Sequence, residues 1–170
     1  MKSSRSNLKK VFISLGSNLG NRDAYLRDAI KLISAHPEVS LVSSSRLMET
    51  SPIGPVKQDY YLNQILMILT AISPSDLLKF LKLIEIKLGR KKRKRWAQRE
   101  IDIDIIAYQN AITRTPQLWI PHKEITNRLF VLEGLCELDP DYIIEGGKES
   151  VADLYRTNFP KLKSQIVKFI

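Results

Sequence analysis

Hydrophobic and polar positions recur along the chain with two different periods, and these periods predict the order of its secondary structure. Alternating or β-branched apolar residues predict strands at residues 10–15, 39–49, 61–69 and 100–108. Apolar residues at helical spacing predict helices at residues 21–35, 74–88 and 127–138. We expect residues 118–121 to be extended, and the tail beyond the last helix carries only a weak pattern.

Residue types at the element ends support these boundaries. Ser73 is a favourable N-cap, and Pro74 suits the first helical position because an N–H there would have no intrahelical partner. Gly89 is expected to end the same helix, since glycine readily adopts the left-handed conformation. The turn at 16–20 has two glycines but no following Lys-Ser or Lys-Thr, so it is interpreted as a tight strand-to-helix connection and not as a P-loop.

The order of the first six elements indicates the fold. Strand, helix, strand, strand, helix, strand is the order of the ferredoxin-like unit. We therefore predict an α+β fold, in which helices pack on a ferredoxin-like sheet and extra elements follow at the C-terminus. The length of 170 residues, 44% of them hydrophobic, predicts one domain over residues 1–170 with residues 1–9 as a loose extension.

Composition argues against several classes of protein. No apolar run approaches the ~20 residues that a membrane-spanning helix requires, and the first residues do not resemble a cleavable signal. Cys136 is the single cysteine, so an internal disulfide is impossible and a reducing cytoplasm is the expected location. Because Cys136 lies in an apolar stretch, we interpret it as a packing residue and not as a reactive thiol.

Two carboxylates in the fourth predicted strand carry the clearest chemical signal. Isoleucine alternates with Asp102 and Asp104, which places both carboxylates on one face of a half-buried strand. Two hard oxygen ligands at this spacing suit Mg²⁺, which binds through a few carboxylates together with substrate phosphates. The alternative interpretation is a strand with one hydrated face and no metal.

The net charge of +9 comes largely from one segment. Residues 90–99 contain seven lysines and arginines and no acid, and removing those seven charges from +9 leaves +2 for the rest of the chain. Such a patch is compatible with RNA, with a polyphosphate or with a hydrated loop. Its position directly before the strand with Asp102 and Asp104 favours the polyphosphate, since cations beside a metal are what phosphoryl transfer requires.

Six clusters between residues 10 and 143 resemble the 6-hydroxymethyl-7,8-dihydropterin pyrophosphokinase family in content and order. The most specific is Arg-Trp-Ala-Gln-Arg-Glu-Ile-Asp-Ile-Asp at 95–104. The others are Leu-Gly-Ser-Asn-Leu-Gly at 15–20, Glu-Thr-Ser-Pro-Ile-Gly-Pro at 49–55, Tyr-Leu-Asn at 61–63, Glu85 with Gly-Arg at 89–90, and Pro-His at 121–122 with Asn-Arg-Leu-Phe at 127–130. The resemblance implies transfer of pyrophosphate from ATP to the hydroxymethyl group of the pterin, with release of AMP, in folate biosynthesis.

The resemblance also implies roles for individual residues around ATP. It implies that Asp102 and Asp104 bind two Mg²⁺ ions. The catalytic residues that it implies are Arg90, Lys92, Trp96 and Arg99, with Arg90, Lys92 and Trp96 on a loop that closes over the substrates. The nucleotide-binding residues that it implies are Glu85, Arg90, Lys92, Arg99, Ile105, His122 and Arg128, the last near phosphate or pterin.

A separate group of residues is expected to bind the pterin. Asn63 offers both a donor and an acceptor to the polar edge of the ring, and Tyr61 lies on the same face of its strand. The resemblance implies that Tyr61 and Phe130 enclose the flat heterocycle, although either aromatic residue alone would equally suggest core packing. The adjacent loop is implied to complete the pocket with Thr50, Ser51, Pro52 and Ile53.

The chain departs from the family pattern at several positions. Those positions are Ser51, Lys82, Lys92, Ala97, Gln98, Gln117 and Trp119. They change the expected contacts to adenosine but leave the expected reaction unchanged. We expect a monomer that binds ATP and the pterin, without a nucleic-acid or membrane partner. The alternative is a ferredoxin-like nucleic-acid-binding module that uses the basic loop 90–95, and the carboxylates on the sheet argue against it.

Overall fold

The structure is a computed structural model that describes residues 7–54, 57–93 and 97–170. The strands are β1 (Lys9–Ser17), β2 (Val39–Ser44), β3 (Met48–Thr50), β4 (Tyr61–Thr70), β5 (Asp102–Tyr108), β6 (Thr113–Arg114), β7 (Trp119–Ile120) and β8 (Val167–Phe169). The helices are α1 (Arg22–Ser34), α2 (Pro74–Lys87), α3 (Leu129–Leu138) and α4 (Val151–Leu162). The protein is therefore α+β, as predicted.

The main sheet is antiparallel, with strand order β5-β1-β4-β3-β8, and β2 pairs with β4 beside this path. Strand β1 is central, because Val11 lies opposite Ile68 of β4 on one side and Tyr108 of β5 on the other. Strands β6 and β7 form a separate two-stranded ribbon. This order brings the end of β1 close to the carboxylates of β5.

Helices cover both faces of the sheet, so successive residues of β1 enter different cores. Val11, Ile13 and Leu15 are buried together with α1 and α2. Phe12 is buried on the opposite face in the core that α3 and the start of α4 complete. A strand that is apolar on both faces loses its alternating pattern, which explains the continuous apolar run in the sequence of β1.

The predicted boundaries of α2 are confirmed at both ends. The Ser73 side chain accepts a hydrogen bond from the backbone N–H of Asp76 at 3.2 Å, and Pro74 is the first helical residue. Gly89 follows the helix with φ +85°, a left-handed conformation that most side chains disfavour. The helix packs on the sheet through Leu77, Leu81 and Ile84.

The structure corrects the predicted elements in three places. The predicted strand 39–49 is divided into β2 and β3, because Ser45 leaves the regular ladder while its hydroxyl accepts from the N–H of Ile65 at 2.9 Å. Strand β1 runs from Lys9 to Ser17, so Gly16 and Ser17 belong to the strand and not to the predicted turn, and β5 begins only at Asp102. The weakly patterned tail contains α4 and β8, and a capping box of Ser150 with Asp153 marks the start of α4.

No helix in the part of the chain that the structure describes is long and apolar enough to cross a membrane.

Helix α3 approaches β4 closely at Gly134. A Cβ at this position would lie 2.3 Å from Cγ1 and 2.9 Å from Cβ of Ile65. In an ordinary helix interior, alanine stabilises the helix by about 1 kcal/mol relative to glycine. At Gly134 we predict the opposite result, because overpacking of a core costs about 1–3 kcal/mol. Gly134→Ala should therefore lower the free energy of unfolding measured by urea denaturation.

The Ile65→Ala background provides the control for this prediction, since it removes Cγ1 of Ile65, the atom nearest to the new methyl group. In that background Gly134→Ala should cost less than in the parent. Equal or higher stability of the Gly134→Ala single variant would show that α3 and β4 are not closely packed there.

Candidate active site

Strand β5 presents Asp102 and Asp104 on one face of the sheet. Their side chains are 23% and 42% exposed, whereas Ile103 and Ile105 are buried on the opposite face. Asp102 lies opposite Gly16 of β1, and Asp104 lies opposite Ser14. The predicted alternation of carboxylates and isoleucines is therefore present, and the carboxylates stand beside a strand with only small residues next to them.

Two arginines hold the Asp102 carboxylate. Arg90 Nη1 lies 2.8 Å from Oδ1, and Arg99 Nη1 lies 2.5 Å from Oδ2. Burial raises the pKa of Asp102, but the charges of Arg90, Arg99 and Lys82 outweigh this effect, so the net pKa lies below its usual value. Asp102 is thus held as a carboxylate beneath two guanidinium groups.

The buried carboxylate of Glu85 organises the cations behind this face. It is 3% exposed and accepts hydrogen bonds from the N–H of Ile103 at 2.7 Å, from Lys82 Nζ at 2.7 Å and from Arg90. Lys82 Nζ also lies 3.5 Å from Asp104 Oδ1. Burial lowers the pKa of Lys82, but the negative charges of Asp104 and Glu85 outweigh this effect. The net pKa therefore lies above its usual value, and Lys82 stays charged.

A second ion pair fixes part of the basic segment. Arg93 donates to Glu100 through both terminal nitrogens, at 2.6 and 2.5 Å. The hydrogen bond from Arg93 is the main cause that lowers the pKa of Glu100 to about 2. Lys92 is exposed beside this pair. Trp96, which was predicted to be catalytic, lies outside the described residues.

A first cavity opens between β1, β3, β4 and the start of α3. It includes Asp102, Asp104 and Arg99 on one side. Its other lining residues are Ser14, Gly16, Thr50, Ser51, Ile53, Tyr61, Asn63, Ala97, Arg128, Phe130, Gln165, Ile166 and Val167. The cavity therefore places aromatic, amide and carboxylate groups around one small volume.

The Asn63 amide is fixed at the floor of this cavity. It is 4% exposed, and its Nδ2 donates to the Thr50 hydroxyl at 2.7 Å. A Cβ on Gly16 would lie 2.7 Å from Oδ1 of Asn63, so the absence of a side chain at Gly16 makes room for the amide. The orientation leaves Oδ1 beside Gly16 as a hydrogen-bond acceptor.

The second cavity, about 590 Å³, lies between α2, β5 and the β6–β7 ribbon. Ile105 and Leu118 contribute apolar surface, and Trp119 contributes an aromatic ring with the Arg114 guanidinium 4.9 Å from its centre. The polar lining is Lys82, Asp104, Arg114, Thr115, Gln117, His122 and Lys123. A flat apolar wall opposite cations is suited to a nucleotide base and its phosphates.

His122 is held in this second cavity through its backbone and through one ring nitrogen. Its backbone N–H donates to the carbonyl of Ile106 at 2.8 Å, and its Nδ1 accepts from the N–H of Glu124 at 3.2 Å. Burial lowers the pKa of His122 more strongly than Asp104 raises it. A neutral ring with Nδ1 as acceptor carries its proton on Nε2, where it serves as a donor.

Asp104 lines both cavities, so the two adjoin at this residue. Most of the predicted site residues lie at one of them. Arg128, predicted to contact phosphate or pterin, lines the first cavity, and Ile105 and His122 line the second. Glu85 stands behind the cations. Of the predicted site residues that the structure describes, those that line neither cavity are Pro52, Glu85, Arg90 and Lys92.

The sequence analysis did not identify several lining residues. Ser14 and Gly16 are brought in only by the pairing of β1 with β5, and Gln165, Ile166 and Val167 come from the tail. Lys82 was noticed as a departure from the family pattern, and its spacing of three residues from Glu85 on a helix was a usable signal.

Comparison with known proteins identifies the family of the chain. The sequence model of the 7,8-dihydro-6-hydroxymethylpterin-pyrophosphokinase (HPPK) family matches residues 12–140. The 2-amino-4-hydroxy-6-hydroxymethyldihydropteridine pyrophosphokinase of Methylorubrum extorquens is 37% identical over 149 residues, which cover 86% of this chain and 94% of that protein. The Bacillus subtilis protein of the same name is 39% identical over 128 residues, 75% and 77% of the two chains. The chain therefore belongs to the HPPK family.

Other relatives are larger than this chain. It is 42% identical to the bifunctional protein FolKE of Lactococcus lactis over 131 residues, which cover 77% of this chain but 38% of that protein. A crystal structure of Plasmodium falciparum HPPK-DHPS with pteroate has a TM-score of 0.73 and 15% identity, over 92% of this chain and 43% of that one. The chain thus spans about two fifths of the length of each of these two proteins. At 15% identity, the similarity to the Plasmodium falciparum structure supports the fold alone.

The Arg93–Glu100 pair predicts a dependence of stability on pH. Because folding lowers the pKa of Glu100 from 4.5 to about 2, the pair should contribute fully above pH 4.5 and progressively less as the pH falls towards 2. Glu100→Gln should therefore be less stable than the parent at pH 6, and the difference should shrink towards pH 2.5. Chemical denaturation at a series of pH values measures both curves.

Glu149→Gln, a change at an exposed position, is the matched control and should follow the parent at every pH. If the difference in unfolding free energy between Glu100→Gln and the parent stays constant from pH 6 to 2.5, the stabilisation by the Arg93–Glu100 pair is not ionic.

Proposed function

We propose that this protein transfers the terminal pyrophosphoryl group of ATP to the hydroxymethyl oxygen of 6-hydroxymethyl-7,8-dihydropterin and releases AMP, in folate biosynthesis. Membership of the HPPK family supports the reaction. The observation that carries it is the position of Asp104 where the two cavities meet, because such a transfer requires both substrates at one group of charges.

The nucleotide occupies the second cavity, with its triphosphate directed towards Asp104. His122 donates to a phosphate oxygen through Nε2. Arg90 and Arg99 exchange their ion pairs with Asp102 for ion pairs with the triphosphate, and Lys92 adds a further cation from the adjoining segment. The Arg–carboxylate pairs of the free protein therefore hold these guanidinium groups at the site where phosphate arrives.

Asp102 and Asp104 would hold Mg²⁺, and we propose two ions. Both carboxylates are hard oxygen donors on one face of β5. Among the described residues no group of three or more His, Cys, Asp and Glu side chains could hold a metal, so the remaining ligands would come from the phosphates. When bound, Mg²⁺ supplies positive charge that neutralises the phosphate oxygens.

The pterin occupies the first cavity. Asn63 pairs with the polar edge of the ring through Oδ1, while its Nδ2 remains on Thr50. Tyr61 and Phe130 provide the two aromatic faces, and Ser51 and Ile53 line the rim. This arrangement directs the hydroxymethyl group towards Asp102 and Asp104, where its oxygen forms a bond to the β-phosphorus as the bond from that phosphorus to the α–β bridging oxygen breaks.

The coarser features of the protein fit this activity. We propose that the first four long strands form a ferredoxin-like sheet, since β5, β1, β4 and the β2–β3 segment lie in the order fourth, first, third, second. We further propose one domain that works as a monomer in the cytoplasm. A nucleic-acid-binding role is disfavoured, because the charged face of the sheet carries carboxylates in place of aromatic platforms.

The reaction is tested by incubating the protein with MgATP and 6-hydroxymethyl-7,8-dihydropterin and separating the nucleotides. We expect AMP in equal amount to the pterin diphosphate formed. Formation of ADP would indicate single phosphoryl transfer, and AMP formation that does not depend on the pterin would contradict the proposal.

Substitution of the carboxylates tests their role in turnover. Asp102→Ala and Asp104→Ala should each lower the rate of AMP formation by several orders of magnitude, because each removes an anchor for the metal. The double variant should be little slower than the slower single variant, since the two ligands act as a unit.

Asp141→Ala, a change at an exposed aspartate, is the control and should retain parental activity. Near-parental turnover of either Asp102→Ala or Asp104→Ala at saturating Mg²⁺ would contradict the metal assignment.

The Asn63 amide tests the pterin site separately. Asn63→Ala should weaken pterin binding by about 1–3 kcal/mol, the cost of leaving a buried polar group unpaired, with little change in ATP affinity. Gln64→Ala on the opposite face of β4 is the control, since Gln64 donates to the Ser45 carbonyl away from the cavity. Isothermal titration calorimetry measures both ligands, and equal losses for pterin and ATP would indicate a purely structural role for Asn63.

A further inference from the structure

The C-terminal strand β8 lies beside the pterin cavity, although it is outside the residues 12–140 that the family's sequence model matches. It pairs with β3, so that Val167 is opposite Thr50. Beyond this ladder the Ser51 N–H donates to the Ile166 carbonyl at 3.1 Å, and the Ile166 N–H donates to the Ser51 hydroxyl at 3.2 Å. Strand β8 therefore fixes the loop that forms one side of the cavity.

Gln165, just before β8, fixes the opposite side. Its Oε1 accepts from the N–H of Leu129 at 2.9 Å, and its Nε2 donates to the Asn127 carbonyl at 2.8 Å. Leu129 is the first residue of α3, and the N-cap residue Arg128 makes no capping hydrogen bond with its own side chain. Gln165 thus supplies from a distant part of the chain an acceptor that a helix N-terminus normally receives from its own cap.

The residues that Gln165 holds are those that face the pterin. Phe130 is the second residue of α3 and lines the cavity, as does Arg128. Gln165, Ile166 and Val167 line the same cavity, and 44% of the Ile166 surface is exposed. One short segment therefore connects the start of α3 to the Thr50–Ser51 loop across the cavity wall.

We propose that the C-terminal segment 165–167 determines the affinity of the protein for its pterin substrate. Gln165 is a positioning residue that holds Phe130 and Arg128 against the heterocycle, and Ile166 closes the cavity wall. The inference rests on the proposed function, because it takes the first cavity as the pterin site. The second cavity has no lining residue from this segment, so nucleotide affinity should be independent of it.

Calorimetric titration of the full chain with 6-hydroxymethyl-7,8-dihydropterin and, separately, with a non-hydrolysable ATP analogue and Mg²⁺ tests the proposal. Gln165→Ala should weaken pterin binding about tenfold, because two backbone partners lose their hydrogen bonds. Gln165→Glu retains the acceptor for Leu129 but not the donor, so its pterin affinity should be intermediate. Both variants should bind the ATP analogue like the parent and show a raised KM for the pterin with a nearly unchanged kcat.

Lys168→Ala is the control on the same strand, since Lys168 is exposed and does not line the cavity. Ile166→Ser provides a second test at an exposed side chain, where folding should persist if Gln165→Ala unfolds, and it should also weaken pterin binding. Parental pterin affinity in folded Gln165→Ala or in Ile166→Ser would overturn the inference and leave the proposed function intact. A parent protein that binds the ATP analogue but not the pterin would overturn both.

Discussion

The site depends on a balanced cluster of charges that surrounds the start of β5. Its anions are Glu85, Asp102 and Asp104, and its cations are Lys82, Arg90 and Arg99. A carboxylate as buried as Glu85 is stable only when it is paired and hydrogen-bonded, so the backbone of β5 and two cations must converge on it. This requirement joins α2, β5 and the segment that follows α2, and it places the cations beside Asp102 and Asp104.

One residue of this cluster, Asp104, lines both cavities. Ser14 and Gly16 of β1 line the first cavity together with Asp104, and Lys82 of α2 lines the second together with Asp104. In the proposed reaction, the small residues of β1 leave space for the pterin, and Lys82 supplies positive charge near the nucleotide. The chemistry that we propose therefore needs little from any single side chain, since charge and position provide most of the stabilisation in phosphoryl transfer.

The sequence predicts structure best where the pattern lies within a single strand or helix. The alternation around Asp102 and Asp104 and the Ser73–Pro74 start of α2 are local patterns, and the structure confirms them. The role of Gln165 could not be predicted, because its partners lie 36 and 38 positions away and a lone glutamine in a polar tail carries no local signal. Helix α4 was not predicted, although its capping box of Ser150 with Asp153 is visible in the sequence. It contains Pro160, a residue that usually ends a helix.

In the proposed function, two substrates meet at Asp104 from separate cavities. The decisive measurement is calorimetric titration of the pterin into protein saturated with Mg²⁺ and a non-hydrolysable ATP analogue. We expect a ternary complex with one pterin and one nucleotide per chain, in which the pterin binds at least as tightly as it does to the free protein. Displacement of one ligand by the other would show that they share a single cavity and would exclude two separate sites.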